Sequence, residues 1–223
     1  MKILIVAATR FEIQPLLNKM EMHSDQNPDD KNVIRCTYKK FEIVFLITGV
    51  GMVATAYHLG KNLNAGYDLA LNIGICGSFN RNLEIGDVVT IYEDCFSELG
   101  AEDGDNFLTL EDLKLNGVSK VSNTGFKSSN SVIEMLPKVN GITVNTVHGN
   151  NDSIEKAVQK FHPIVESMEG AAFMFVCENE SLQYLHIRAV SNYVERRNKE
   201  TWNIPLAIEK LNKKILEVID SFE

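Results

Sequence analysis

The sequence contains no CxxC pair, and its four cysteines (Cys36, Cys76, Cys95 and Cys177) stand far apart, mostly within apolar segments. Neither a zinc site nor a disulfide framework is expected from that spacing, and a reducing compartment suits it best. No apolar run reaches the roughly 18–20 residues that cross a bilayer. The apolar opening is cut off by Thr9, Arg10 and Glu12 too early for a signal peptide, so the expectation is a cytoplasmic protein without a membrane partner. Positive charge is scarce: 22 Lys and Arg face 30 Asp and Glu, for a net charge of −8. A general nucleic-acid binder would carry a basic footprint, so that class is excluded, while an anionic small molecule beside a local Arg or Lys is not. Repeats, low-complexity tracts and linkers are also missing. What is there is an ordinary globular mix, 44% hydrophobic and 23% charged, over 223 residues. That length fits one domain, 1–223, around one large core.

Residues 2–8 form a continuous apolar run rich in β-branched side chains, which reads as a strand buried on both faces. Helical spacing follows over 11–20, a polar surface loop over 21–32, and a hairpin over 33–38 and 41–48. After Gly49-Val50-Gly51 comes a helix over 52–63, then buried strands at 69–73 and 88–91. The stretch 98–127 is polar and weakly periodic, a long excursion of the kind that is functional or mobile in compact domains. Strand character resumes at 142–147 and 164–168. An almost wholly apolar helix spans 169–177, the last central strand 186–191, and a striped helix runs from about Asn203. This alternation predicts a three-layer α/β domain with a mixed, mostly parallel central sheet. Ligands bind such sheets at the carboxyl ends of the strands. Residues 8–12, 74–78, 145–150, 168–169 and 191–192 are therefore the candidate site.

Several of these strand ends together resemble the nucleoside phosphorylase and nucleosidase superfamily. The first strand and the turn carrying Glu12 are similar to the start of the methylthioadenosine/S-adenosylhomocysteine nucleosidases. Asn72-Ile73-Gly74-Ile75-Cys76-Gly77 resembles the family's N-x-G-x-x-G strand end, and Met168-Glu169-Gly170-Ala171 its M-E-x-A motif. Ala189-Val190-Ser191-Asn192 resembles its A-x-S-D motif, with Asn in place of Asp. Order and spacing agree over essentially the whole chain. Within the superfamily, the segment ELGAEDG at 98–104, the Ser191-Asn192 pair, and Arg196-Arg197-Asn198 with Trp202 resemble the futalosine hydrolases of the alternative menaquinone pathway.

The resemblance implies hydrolysis of a purine N-glycosidic bond, without metal or organic cofactor. Such a reaction develops positive charge on the ribosyl ring, needs water oriented at C1′, and needs the purine to leave protonated or hydrogen-bonded. Glu12 is then the group that positions and activates water. Read by itself, Glu12 is equally an ordinary carboxylate early in a helix, favoured there by the dipole. Glu169, heading an apolar helix, would accept bonds from the ribose hydroxyls, with Met168 packed on the sugar. Its bland alternatives are helix capping for Glu169 and core packing for Met168. Asn192 is the most informative position. A carboxylate matches the two donors of an N7-protonated adenine, whereas an amide matches the donor and acceptor of a 6-oxopurine. Asn192 therefore predicts hypoxanthine or guanine over adenine, although it reads also as a turn cap and cannot itself supply a proton.

Gly77 and Cys76 at a strand end, Asn150 after another, and Arg10 complete the expected substrate contacts. Gly74 would join Gly77 in letting backbone approach the ligand, while Gly49-Val50-Gly51 reads as a turn or a ligand contact. A futalosine-type substrate carries a carboxylate on its 5′ side, for which Arg10, Arg196 and Arg197 are candidates. His148 is expected to be structural, and Trp202 to anchor the last helix rather than close the site. The resemblance implies a homodimer in which a neighbour's loop closes the 5′ pocket. The alternatives are an adenine-releasing nucleosidase, a purine nucleoside phosphorylase, for which Arg10 alone is a thin phosphate cradle, and a nucleoside-binding protein with no use for Glu12.

Overall fold

A computed structural model describes residues 1–22, 31–63, 66–123 and 130–222. Most of the loop expected over 21–32, and part of the excursion over 98–127, lie outside the described residues. Strand β1 (Lys2–Ala7) leads into helix α1 (Arg10–Leu17). A short β2 (Glu21–Met22) joins the hairpin β3 (Val33–Tyr38) and β4 (Phe41–Ile47), and α2 (Met52–Asn62) crosses to β5 (Leu69–Ser78). Then come β6 (Val88–Phe96), β7 (Gly100–Asp103), β8 (Asn106–Thr109), β9 (Lys120–Ser122), α3 (Ser131–Glu134), β10 (Lys138–Thr143) and α4 (Asn151–Phe161). The chain finishes with β11 (Val165–Ser167), α5 (Gly170–Asn179), β12 (Tyr184–Tyr193) and α6 (Ile204–Asp220).

The uninterrupted apolar run of β1 is explained by layers on both sides. Ile3, Ile5 and Ala7 pack with Ile13 and Leu16 of α1 and Leu211 and Ile215 of α6. Leu4 and Val6 point the other way, onto Leu59 of α2 and Phe173 and Met174 of α5. Each of the larger side chains here contributes about 1.5–3 kcal/mol by leaving water. The expected three-layer α/β architecture is therefore present.

The sheet runs in the order β11-β10-β6-β12-β5-β1-β4-β3-β2, with β9 on β6. Strands β4, β1, β5 and β12 are mutually parallel, whereas β12 meets β6 antiparallel. One pairing was not legible in the sequence. The end of β5 also meets β11 antiparallel, Glu166 opposite Gly77, so that this half of the sheet curls back on itself. That closure brings the β11 and β12 ends around Gly77. A register shift between Val190 and Asn192 marks a bulge at Ser191 in the pairing of β12 with β5, a device that re-aims the side chains beside it.

Other boundaries differ from the sequence reading for local reasons. Helix α1 stops at Leu17 rather than Met20, the Asn18 N–H donating to Gln14 O and the Lys19 N–H to Leu16 O. Strand β10 ends at Thr143, because the backbone N–H groups of Asn145 and Thr146 turn away to the Glu98 carboxylate. The polar excursion contains a hairpin, β7 with β8, and the strand β9 on the edge of β6. Helix α4, strongly polar on one side, packs Ala157 and Phe161 onto Ile142 and Val144. No helix is long and apolar enough to cross a membrane among the described residues.

Candidate active site

A cavity of about 620 Å³ opens at the carboxyl ends of β1, β5, β11 and β12, within the size range of small-molecule sites. Glu12, Glu169, Met168, Asn192, Cys76 and Gly77, all candidates from the sequence, line it. Phe11, Val50, Val147, Ile204 and Ile208 give it an apolar wall. Its polar groups divide into two ends.

At one end stand the two carboxylates. Glu12 is the third residue of α1, and its Oε2 accepts from the Thr9 backbone N–H and the Thr9 hydroxyl, both at 2.9 Å. It caps its own helix, which is the ordinary use of a first-turn glutamate. The other oxygen does something more: Oε1 turns inward and accepts from Ile75 N at 3.3 Å. Burial pushes the Glu12 carboxyl above its usual range and the neighbouring Glu169 adds to the rise, while Arg188 and the Thr9 bonds oppose it.

Glu169 occupies the N-cap position of α5 without capping it. Its Oε1 instead accepts from Gly51 N at 3.0 Å, across the cavity edge, and its Oε2 lies 3.4 Å from Arg188 Nη2. The capping interpretation of Glu169 is therefore replaced by a cross-link between the α5 and α2 helix starts. Gly49 and Gly51 adopt φ of +83° and +97°, a region that side-chain-bearing residues avoid, and this turn aims the Gly51 N–H at Glu169.

Arg188 was not singled out by sequence reasoning. It is 1% exposed, in the middle of β12. Nη2 donates to Asn72 Oδ1 at 2.7 Å as well as to Glu169, while Nη1 and Nε have no hydrogen-bond partner among the described residues. A Cβ added at Gly74 would fall 2.7 Å from Nη1 and 2.8 Å from Glu12 Oε1. Gly74 is thus required because a guanidinium and a carboxylate flank it. The available signal was a charge inside an otherwise apolar strand, which has to be paired to be tolerated. Behind Arg188, on the same strand, His186 is fully buried with neither ring nitrogen bonded. Its Nδ1 is 3.6 Å from Asp94 Oδ2, also without a hydrogen-bond partner. Burial lifts the Asp94 carboxyl to about 7 and holds the His186 imidazole well below its usual range.

At the other end, around Gly77, stand an amide and an imidazole. Asn192 Oδ1 accepts from the Ser191 hydroxyl at 2.8 Å, and Nδ2 donates to Tyr193 O at 3.0 Å. One lone pair and one hydrogen remain for a ligand. His148 lines the cavity beside it, its Nδ1 2.6 Å from Glu166 Oε2. Trp202 lines the cavity too, with the Arg197 guanidinium 4.9 Å from its ring centroid, so its part is in the site wall and not only at the foot of α6.

Two expected contacts are corrected. Asn150 lies outside the cavity lining: its Oδ1 accepts from Asp152 N and Ser153 N, and it caps α4. Arg10 is exposed on α1 and donates from Nε to Gln14 Oε1, one helical turn on. Of the arginines considered for a 5′ carboxylate, Arg197 lines the cavity, while Arg10 and Arg196 do not.

Comparison with known proteins agrees with this geometry. The family model described as the phosphorylase superfamily matches residues 2–222. A futalosine hydrolase of Acidothermus cellulolyticus is 32% identical, over 74% of this chain and 70% of its own. A 5′-methylthioadenosine/S-adenosylhomocysteine nucleosidase of Buchnera aphidicola is 24% identical, over 99% of this chain and 98% of its own. The native structure of Helicobacter pylori futalosine hydrolase shares the fold at a TM-score of 0.80 and 18% identity, over 98% of this chain and 97% of that one. On the family match and the identity to the first of these relatives, the chain belongs to the phosphorylase superfamily.

Proposed function

We propose that this protein hydrolyses the N-glycosidic bond of a 6-oxopurine nucleoside, with futalosine as the substrate that best fits the site. The observation that carries the reading is the division of one cavity into a dicarboxylate end and an amide end. Glu169 accepts from the ribose hydroxyls. Glu12 Oε1, beside the free Arg188 Nη1, takes a proton from the water that attacks C1′; a carboxyl raised by burial is a stronger base for that task than an exposed one. The negative end stabilises the cationic sugar of the transition state. Asn192, with one acceptor site and one donor site left, pairs with the protonated edge of hypoxanthine. A 6-amino group there would leave a buried polar atom unmatched.

Phosphorolysis is disfavoured because Arg10 points away, and Arg188, the cation at the sugar end, is already engaged with Glu169 and Asn72. The exposed Arg197 at the cavity is the partner we assign to the 5′ carboxylate. In this reading the products are hypoxanthine and dehypoxanthine futalosine, a step of menaquinone synthesis in the cytoplasm. Val50, Val53 and Tyr57 are 57%, 82% and 63% exposed on and before the start of α2. We place a homodimer contact there, next to the cavity wall.

The second reading is a methylthioadenosine/S-adenosylhomocysteine nucleosidase, favoured by the nearly full-length match to relatives of that name. Incubation with futalosine, inosine, methylthioadenosine and S-adenosylhomocysteine, with and without phosphate, separates the readings by the base released. Hypoxanthine without phosphate is expected. Adenine alone supports the second reading, strict phosphate dependence overturns both, and binding without turnover makes the protein a nucleoside-binding module.

A further inference from the structure

An amide at position 192 leaves the proposed reaction without a source for the proton that the departing purine takes up. The cavity-lining titratable groups narrow the choice. Glu12 has to be ionised to accept a proton from water, and Glu169 is held as an anion acceptor by Gly51 N and Arg188. Glu195 is spent on Arg81 and the Thr201 hydroxyl, and the Tyr193 hydroxyl donates to Leu83 O at 3.0 Å. Burial pushes the Cys76 thiol up to about 12, and an arginine does not release its proton. His148 is what is left.

His148 is also held as a proton donor would be. Glu166, 4% exposed, uses both oxygens on it: Oε1 accepts from His148 backbone N at 3.1 Å, and Oε2 meets Nδ1 at 2.6 Å. The Phe79 ring stands edge-on at 6.1 Å between centroids. With Nδ1–H committed to the carboxylate, Nε2 is the nitrogen left to act in the cavity. A Cβ at Gly77 would lie 3.4 Å from Asn192 Nδ2 and 3.5 Å from Glu166 Cγ, so the carboxylate that holds His148 flanks the same glycine as Asn192. The other charged groups near this loop are Glu98, bound to the backbone of Asn145 and Thr146, and Arg197, whose Cβ is 3.9 Å from where a Gly149 Cβ would sit.

We infer that His148, oriented by Glu166, is the general acid that delivers a proton from Nε2 to a ring nitrogen of the leaving purine. This inference rests on the nucleosidase reading above. As the C1′–N9 bond breaks, its electron pair passes to the purine and a purine N–H bond forms with the imidazolium proton. The water oxygen bonds to C1′, and its proton goes to Glu12. Glu12 then returns a proton to solvent and His148 takes one up, restoring both. His148 is the catalytic residue, and Glu166 the positioning one.

The test compares inosine or futalosine with 7-methylinosine, whose purine is already cationic and leaves without a proton, across a pH series. H148Q is expected to lose about 100-fold or more in kcat on the unmethylated substrate and only a few-fold on the methylated one. In the E166Q enzyme kcat is expected to fall about tenfold on the unmethylated substrate and little on the methylated one, since the His148 ring is no longer held in place. Equal losses on both substrates or no loss on either, in H148Q or in E166Q, would overturn the assignment. If the wild type releases adenine and no hypoxanthine, the function proposed above fails instead. The same variants and pH series on the adenine nucleoside then still decide the role of His148.

Discussion

At the sugar end of the cavity, Glu12 and Glu169 flank a single buried guanidinium, and each takes backbone N–H bonds from a different part of the chain. At the base end, Asn192 bonds within its own strand neighbourhood, to Ser191 and Tyr193, and His148 leans on one carboxylate. The first arrangement is locked to the parallel core, with α1, α2, β5, α5 and β12 meeting there. The second depends on the curl that returns β11 to β5. A charge-bearing, rigid end suits the invariant part of a nucleoside, the ribose. In the proposed reading, the end built from an amide and an imidazole is where one substitution would change the base that is accepted.

The contrast can be broken by removing charge at the sugar end. Glu12→Gln is expected to lower kcat on the order of 10³-fold while leaving substrate affinity nearly intact. It should also raise the melting temperature at neutral pH. Burial raises the Glu12 pKa above 4.5, so the native state tolerates the protonated form below that value and loses stability as pH rises through the raised pKa. Glutamine removes that loss, and the stability gain over wild type should vanish when melting is followed below about pH 4.5, the ordinary value.

Arg188→Gln leaves two buried carboxylates short of their cation. Urea unfolding should show a loss of about 3–5 kcal/mol, and kcat should fall because Glu169 is no longer held. Asn192→Asp probes the other end: turnover should survive, and the preference should move at least about tenfold toward 6-aminopurines, measured as a ratio of kcat/KM values. The smallest effect is expected behind the site, at Asp94. Its carboxyl is lifted to about 7, so wild-type stability is fully present at low pH and declines as pH rises through about 7. That decline spans 3.8 to about 7, so Asp94→Asn should flatten it in a melting series from pH 4 to pH 8 and change activity little.

Much of this was legible because the strand ends carry short motifs whose chemistry is local. A buried β-branched run and a carboxylate one turn past its end place Glu12 without any tertiary information. Arg188 and His148 were not legible in the same way. Arg188 sits inside an apolar strand, and its importance comes from Asn72, Glu169 and Glu12, which lie on other elements. His148 acquires its partner only through the β5–β11 pairing, which no periodicity announces. Asn150 and Arg10 failed for the converse reason: each satisfies itself within one helical turn, Asn150 as a cap and Arg10 on Gln14, so proximity to a strand end was not enough.

The most direct test offers wild-type enzyme equal concentrations of futalosine and its 6-amino analogue in one reaction without phosphate, and quantifies the two purines released. The geometry at Asn192 predicts hypoxanthine in at least about tenfold excess over adenine. Equal release, or adenine in excess, would contradict the assignment of the amide end as a 6-oxopurine site.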